Sequence, residues 1–138
     1  MSAEARVRPA GGDLRLEAEG DTAAAALAAA VTTFGHLLVE GEIAPRAWRD
    51  LALAAVDLPT LLADLLEELL FRFETEGALP AALAVERLAG GEFSGRLGWE
   101  PFDPARHAPG LGVKAVTWHG LEFGERNGRW HLAVLLDL

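Results

Sequence analysis

The chain has 138 residues, 12 basic side chains against 21 acidic ones, a formal net charge of −9 and no cysteine. The absence of cysteine excludes disulfide scaffolds, thiolate zinc sites, iron–sulfur clusters and cysteine nucleophiles. The acidity argues against sequence-independent binding to nucleic-acid phosphates and against anionic membranes as partners. The length and the 51% hydrophobic content predict one folded domain over residues 1–138.

No targeting segment is expected. The first twenty residues have scattered charges and lack the apolar stretch of a signal peptide. The most apolar stretch, Ala23 to Val31, has about half the length that spans a bilayer. We therefore expect a cytoplasmic protein with no membrane partner.

The first half of the chain predicts strand, helix, strand and helix. Residues 6–18 read as a strand interrupted at Pro9–Gly12, with every second residue apolar from Leu14 to Ala18. Residues 20–22 offer an N-cap, and apolar side chains at helical spacing follow over residues 23–38 until Gly41 and Pro45. A short strand with a bulge is predicted over Trp48–Val56.

The second predicted helix starts at Asp57 and ends at Gly77. Asp57 is a suitable N-cap residue, and Pro59 is tolerated in the first turn. A wide leucine stripe faces one side, and Glu67 and Glu68 lie in the middle of the helix. A solvated helix face is the simplest interpretation of those two glutamates.

Short alternating segments follow Gly77 and predict a strand meander. They are Ala81–Leu88, Glu92–Trp99, Val113–Trp118, Leu121–Glu125 and Arg129–Asp137. Asn127-Gly128 predicts a hairpin between the last two strands, and the prolines of residues 101–112 predict a loop. The predicted fold class is α+β: a single domain with two α-helices packed on a mostly antiparallel β-sheet.

Several catalytic motifs are missing from the sequence. It has no phosphate-binding glycine motif, no nucleophile elbow and no histidine pair at helical i, i+4 spacing. His36 is expected at a helix end and His131 on the last strand. His107 and His119 lie in or beside loops and are the better functional candidates, with a structural role as the alternative for each.

Acidic residues near the two ends of the chain suggest a metal site. Asp13 follows Gly11-Gly12, and Asp137 ends an apolar strand beside the terminal carboxylate of Leu138. Three carboxylates would suit a hard divalent cation with oxygen ligands. The alternative for Asp13 is a turn residue that hydrogen-bonds its own backbone.

The segment from Phe102 to Leu121 resembles the signature of the archease family. Its residues are FDPARH over 102–107 and GVKAVTWHGL over 112–121. The segments DLRL over 13–16, LLEELLF over 65–71 and LLDL over 135–138 also match the family in register. The resemblance covers nearly the whole chain and implies an archease-like fold.

The resemblance implies an accessory protein of RtcB-type RNA ligases, which join RNA ends in tRNA splicing and RNA repair. Such a protein is not an enzyme; it promotes guanylylation and multiple turnover of the ligase, and the ligase handles the RNA. The resemblance further implies a divalent cation, calcium foremost, held by Asp13, Asp137 and the carboxylate of Leu138. Lys114, His107 and Glu68 match recurrent positions expected to face the ligase, and His119 lies within the signature.

The sequence differs from the family pattern at residues 10–12, and two other functions are possible interpretations. The family carries His-Thr-Ala before the first aspartate, where this chain has Ala10-Gly11-Gly12. Because polar neighbours orient metal-binding carboxylates, we expect weaker metal binding and weaker ligase activation. The alternatives are a small metal-dependent hydrolase that uses Asp13 and Asp137, and a chaperone with an exposed apolar patch.

Overall fold

The computed structural model describes residues 2–138 and confirms the α+β class. The helices are α1 (Ala23–Leu38) and α2 (Leu58–Glu76). The strands are β1 (Ala3–Ala10), β2 (Asp13–Gly20), β3 (Val39–Glu40), β4 (Ala47–Ala54), β5 (Ala78–Ala89), β6 (Glu92–Pro101), β7 (Ala108–Pro109), β8 (Ala115–Arg126) and β9 (Arg129–Asp137). They form a four-stranded sheet β1-β2-β9-β8, a three-stranded sheet β4-β6-β5 and the pair β3-β7, all antiparallel.

Local sequence signals set the helix boundaries. The Thr22 side chain accepts a hydrogen bond from the Ala25 N–H at 3.0 Å, and the Asp57 side chain accepts one from the Thr60 N–H at 2.9 Å. Each satisfies an N–H that the first helical turn leaves unpaired. Gly77 ends α2 with a φ of 68°, a left-handed conformation that glycine adopts without a Cβ penalty. Both predicted helices are confirmed.

The core lies between the two larger sheets and the helices. Helix α1 packs on β2 and β5, and α2 packs on β8 and β5. Leu14, Leu16 and Ala18 of β2 are buried in this core. Because side chains alternate along a strand, the odd-numbered residues of β2 point to the other face of the four-stranded sheet. We call this the outer face, and it carries the charged residues considered below.

The structure corrects two predictions for the second half of the chain. The segments predicted as separate strands, Val113–Trp118 and Leu121–Glu125, are parts of one bulged strand: Thr117 pairs with Leu135 and Glu122 with Ala133. Residues predicted as a continuous loop over 101–112 include β7, which pairs with β3 just after α1. Strands this short have too little periodicity to be seen in the sequence.

The strand predicted over Trp48–Val56 is β4, and its pairing with β6 is regular. The predicted bulge is therefore wrong for this strand; the register shifts of this sheet lie in β5, at Pro80/Ala82 and Val85/Arg87. Within residues 2–138, neither helix has the length and apolar character needed to cross a membrane.

Candidate functional site

Strand register brings the two predicted aspartates together. Leu14 of β2 pairs with Leu136 of β9, so extending the ladder by one residue sets Asp13 opposite Asp137. Side chains directly opposite in an antiparallel pair have Cβ atoms about 4.5–5.5 Å apart. Asp13 is half-buried and Asp137 is exposed. We call Asp13, Asp137 and Leu138 the acidic edge.

The donor chemistry of the acidic edge fits a hard cation. Two carboxylates that face each other repel, and a divalent cation with oxygen ligands relieves that repulsion. Among the described residues, no three His, Cys, Asp or Glu side chains cluster as a metal site would require. The two aspartates thus need a further donor, and the Leu138 carboxylate follows Asp137 directly. The Leu138 side chain packs against the core, which anchors this end of β9.

Lys114 lies beside the acidic edge. Its backbone N–H donates to the Asp137 carbonyl at 2.7 Å, and the next residue, Ala115, pairs with Asp137. Lys114 itself is exposed. Of the residues predicted to face a partner, Lys114 therefore lies next to the two aspartates.

The bulge of β8 exposes two large polar or aromatic side chains. Between the pairs Thr117–Leu135 and Glu122–Ala133, β8 has four residues and β9 has one, so β8 carries three extra residues. Trp118 is 52% exposed, and His119 is exposed as well. Gly120 has a φ of 68°, and a Cβ added to it would lie 3.5 Å from a guanidinium nitrogen of Arg15. The bulge therefore lies against the outer face, on the same sheet as the acidic edge.

His107 is buried, which contradicts the expectation that it faces a partner. Its Nδ1 accepts a hydrogen bond from the Asp103 N–H at 3.0 Å, so the ring proton is on Nε2. Nε2 donates to the Glu42 carbonyl at 3.0 Å and lies 3.2 Å from Glu100 Oε2. With 3% exposure, the imidazole holds the loop after β6 against the segment after β3.

Glu100 is the centre of this buried cluster, and sequence reasoning missed it. It is fully buried, and its carboxylate accepts hydrogen bonds from Arg106 at 2.6 Å, Arg46 at 2.8 Å and the Ala44 N–H at 2.7 Å. Chiefly because Arg106 bonds to it, the pKa of Glu100 falls to about 2. A lone glutamate at the end of a strand carries no sequence signal for such a role.

Glu68 lies apart from the acidic edge. It is on α2, which packs on the inner side of the sheets, and its carboxylate pairs with Arg72 one turn along the helix at 2.6 Å. This agrees with the simple interpretation of a partly solvated helix face.

The glycines before Asp13 form a tight hairpin turn. Ala10 pairs with Asp13, and Gly11 has a φ of 65°. A Cβ at Gly11 or Gly12 would meet no atom within 4 Å. Gly11 and Gly12 therefore bring no side chain to the acidic edge.

Comparisons with known sequences agree with this architecture. The Archease protein family model matches residues 6–138. Protein archease from Pyrococcus furiosus is 31% identical over 132 residues, which cover 91% of this chain and 92% of that protein. Protein archease from Methanopyrus kandleri is 40% identical over 85 residues, which cover 59% of this chain and 61% of that protein.

Solved structures show the same fold. The solution structure of Methanobacterium thermoautotrophicum protein 1598 has a TM-score of 0.74 and 25% sequence identity, covering 99% of this chain and 98% of its own. The crystal structure of an archease from Thermotoga maritima, described as a possible chaperone, has a TM-score of 0.60 at 16% identity, with coverage of 95% and 96%.

Proposed function

This chain belongs to the archease family, and on that premise we propose that it is a non-catalytic accessory protein that activates an RtcB-type RNA ligase. It would promote ligase guanylylation and multiple turnover in tRNA splicing or RNA repair, with the RNA bound by the ligase. The single observation that supports this most is the pairing of Leu14 with Leu136, because it carries their neighbours Asp13 and Asp137 on adjacent strands at an accessible edge. It matches the site that the family resemblance implies.

The acidic edge is proposed to hold a divalent cation, calcium foremost. Asp13, Asp137 and the Leu138 carboxylate would be its ligands, because hard cations prefer oxygen donors. When bound, the cation supplies positive charge at an otherwise acidic surface. The chain's own part is to hold the two aspartates on neighbouring strands and to anchor the end of β9 through the packed Leu138 side chain.

The surface around this edge has features of a docking site. Lys114 borders it, and the β8 bulge presents Trp118, a residue type enriched at the energetic centres of interfaces. A net charge of −9 favours encounter with a basic partner such as an RNA ligase. His119 is exposed on the same bulge and remains a candidate contact, whereas His107 supports the fold from inside.

Calcium titration tests the proposed ligands. We expect Asp13→Asn and Asp137→Asn each to weaken calcium affinity at least about tenfold, because each removes a charged ligand. Asp50→Asn is the matched control, since Asp50 is an exposed aspartate on the other large sheet. Two glycines added after Leu138 displace the terminal carboxylate and should also weaken binding. Equal calcium affinity in all five proteins would contradict the site.

Two other functions are distinguished by separate measurements. A metal-dependent hydrolase would turn over a substrate without any ligase. A chaperone role is favoured by the exposed apolar side chains Val56, Phe71 and Leu111, which are 86%, 58% and 55% exposed, and by the description of the Thermotoga maritima relative. If the protein suppresses aggregation of an unrelated unfolded protein and does not change the rate of ligase guanylylation, the chaperone role is favoured.

A further inference from the structure

A charged concavity of about 310 Å³ lies on the outer face of the four-stranded sheet. We call it the arginine basin, after four lining residues: Arg6, Arg8, Arg15 and Arg126. Three carboxylates and one histidine complete its charged lining: Glu17, Glu19, Glu122 and His131. No residue of the acidic edge lines it, so it is a separate feature of the same face.

One carboxylate contacts three of the arginines. Glu17 is 9% exposed, and its Oε2 accepts hydrogen bonds from Arg8 at 2.6 Å and from Arg15 Nε at 2.8 Å. Arg6 Nε lies 3.3 Å from Oε1. Because Glu17 hydrogen-bonds one side of the Arg8 and Arg15 guanidinium groups and pairs with Arg6, these three side chains are held near one another before any ligand arrives.

The arginines retain donors for a ligand. A guanidinium has five N–H groups, and Glu17 accepts from only a few of them. The Arg6 and Arg8 side chains are 50% and 62% exposed. Arg126 is exposed, and over residues 2–138 its guanidinium has neither a hydrogen bond nor an ion pair. The basin thus offers solvent-facing cationic donors within a protein of net charge −9.

Neighbouring carboxylates neutralise the basin only in part. Arg15 Nη2 also donates to Glu122 at 2.9 Å. Glu19 lies 3.3 Å from His131 Nδ1 and 3.9 Å from Arg129 Nη2, so it faces residues at the start of β9. Arg8 and Arg126 are the lining arginines with the greatest freedom to bind a further anion.

From these observations we propose that the arginine basin binds a compact phosphate compound with several negative charges, of which pyrophosphate is the simplest example. Guanidinium forks match phosphate oxygens in pairs, and a concavity of this size suits a small group. The net charge of −9 repels a long polyanion such as RNA beyond the basin.

Titration calorimetry with sodium pyrophosphate tests the site in low-salt buffer free of divalent cations. We expect saturable binding that weakens as salt rises, because partly exposed charges are screened. The double variant Arg8→Gln/Arg126→Gln should weaken it at least about tenfold. The control Arg87→Gln/Arg96→Gln removes the same charge from the three-stranded sheet and should bind like the wild type.

The outcomes separate this site from the proposed function. Asp137→Asn should bind pyrophosphate normally, so a failure of the calcium site leaves this result intact. Both substituted arginines are largely exposed, and an unchanged thermal unfolding temperature of the double variant shows that the fold is intact. If Arg8→Gln lowers that temperature, the single variant Arg126→Gln replaces the double variant in the binding test. No saturable binding, equal weakening in the control, or tighter binding of single-stranded RNA or a glutamate-rich peptide at the same arginines would overturn the assignment.

Discussion

Glu100 and His107 show how a charged cluster in the interior organises a loop. Glu100 bonds to Arg106 and Arg46, and His107 joins it to the Glu42 carbonyl and the Asp103 N–H. The histidine lies in the segment from Phe102 to Leu121, whose sequence resembles the family signature. Because the His107 ring is buried and inaccessible to a partner, we assign it a structural role in holding this loop.

Replacing His107 tests this structural role. We expect His107→Phe to lower the free energy of unfolding by about 2–3 kcal/mol, because it leaves buried polar groups unpaired. His119→Phe is the control: its side chain is exposed on the β8 bulge, and the change should stay within about 0.5 kcal/mol. Urea denaturation of both variants measures the difference. Equal stability of the two variants would contradict the role assigned to His107.

Acid should remove the stabilisation that Glu100 provides. Its pKa of about 2 in the folded protein lies below the ordinary value of 4.5, so its contribution is complete above about pH 4.5 and is lost as the pH falls toward 2. Glu100→Gln should destabilise the protein by about 2 kcal/mol at pH 7. The difference from the wild type should shrink between pH 5 and 2. A difference independent of pH would show that the charge of Glu100 does not stabilise the fold.

At the scale of secondary-structure elements, the sequence predicts the helix ends but not the pairing of strands that are distant along the chain. Thr22, Asp57 and Gly77 mark helix ends through bonds to residues within one turn, so their sequence signals suffice. The β8 bulge depends on which residues of β9 lie opposite, and the β3-β7 pair joins segments about 70 residues apart. Pairing of that kind has no local signature.

Gly35 of α1 tests how closely this helix approaches the three-stranded sheet. A Cβ at this position would lie 2.3 Å from the carbonyl oxygen of Pro80 in β5. Alanine favours a helix by about 1 kcal/mol over glycine, yet we expect Gly35→Ala to destabilise the protein by about 1–3 kcal/mol because of this clash.

Thermal or urea denaturation of Gly35→Ala measures that cost. Gly124→Ala is the control, because a Cβ at Gly124 meets no atom within 4 Å. A Gly35→Ala variant as stable as the wild type would mean that α1 and β5 separate easily.

At the scale of the whole molecule, the outer face of the four-stranded sheet carries two separate charged features, the acidic edge and the arginine basin. The sequence suggests the cation ligands Asp13 and Asp137 from their places near the chain ends, but their juxtaposition follows from the β2-β9 register. It gave no hint of the arginine basin, because residues from β1, β2, β8 and β9 build it. The chain belongs to the archease family, and the proposed function makes this face the surface that contacts the ligase.

The rate of guanylylation of the cognate RtcB-type ligase, measured with and without this protein, tests the central claim most directly. We expect acceleration by the wild type, at least about tenfold less acceleration by Asp137→Asn, and full acceleration by the control Asp50→Asn, because Asp137 belongs to the proposed cation site. Acceleration by Asp137→Asn equal to that of the wild type would contradict the site. No acceleration by the wild type would contradict the proposed function.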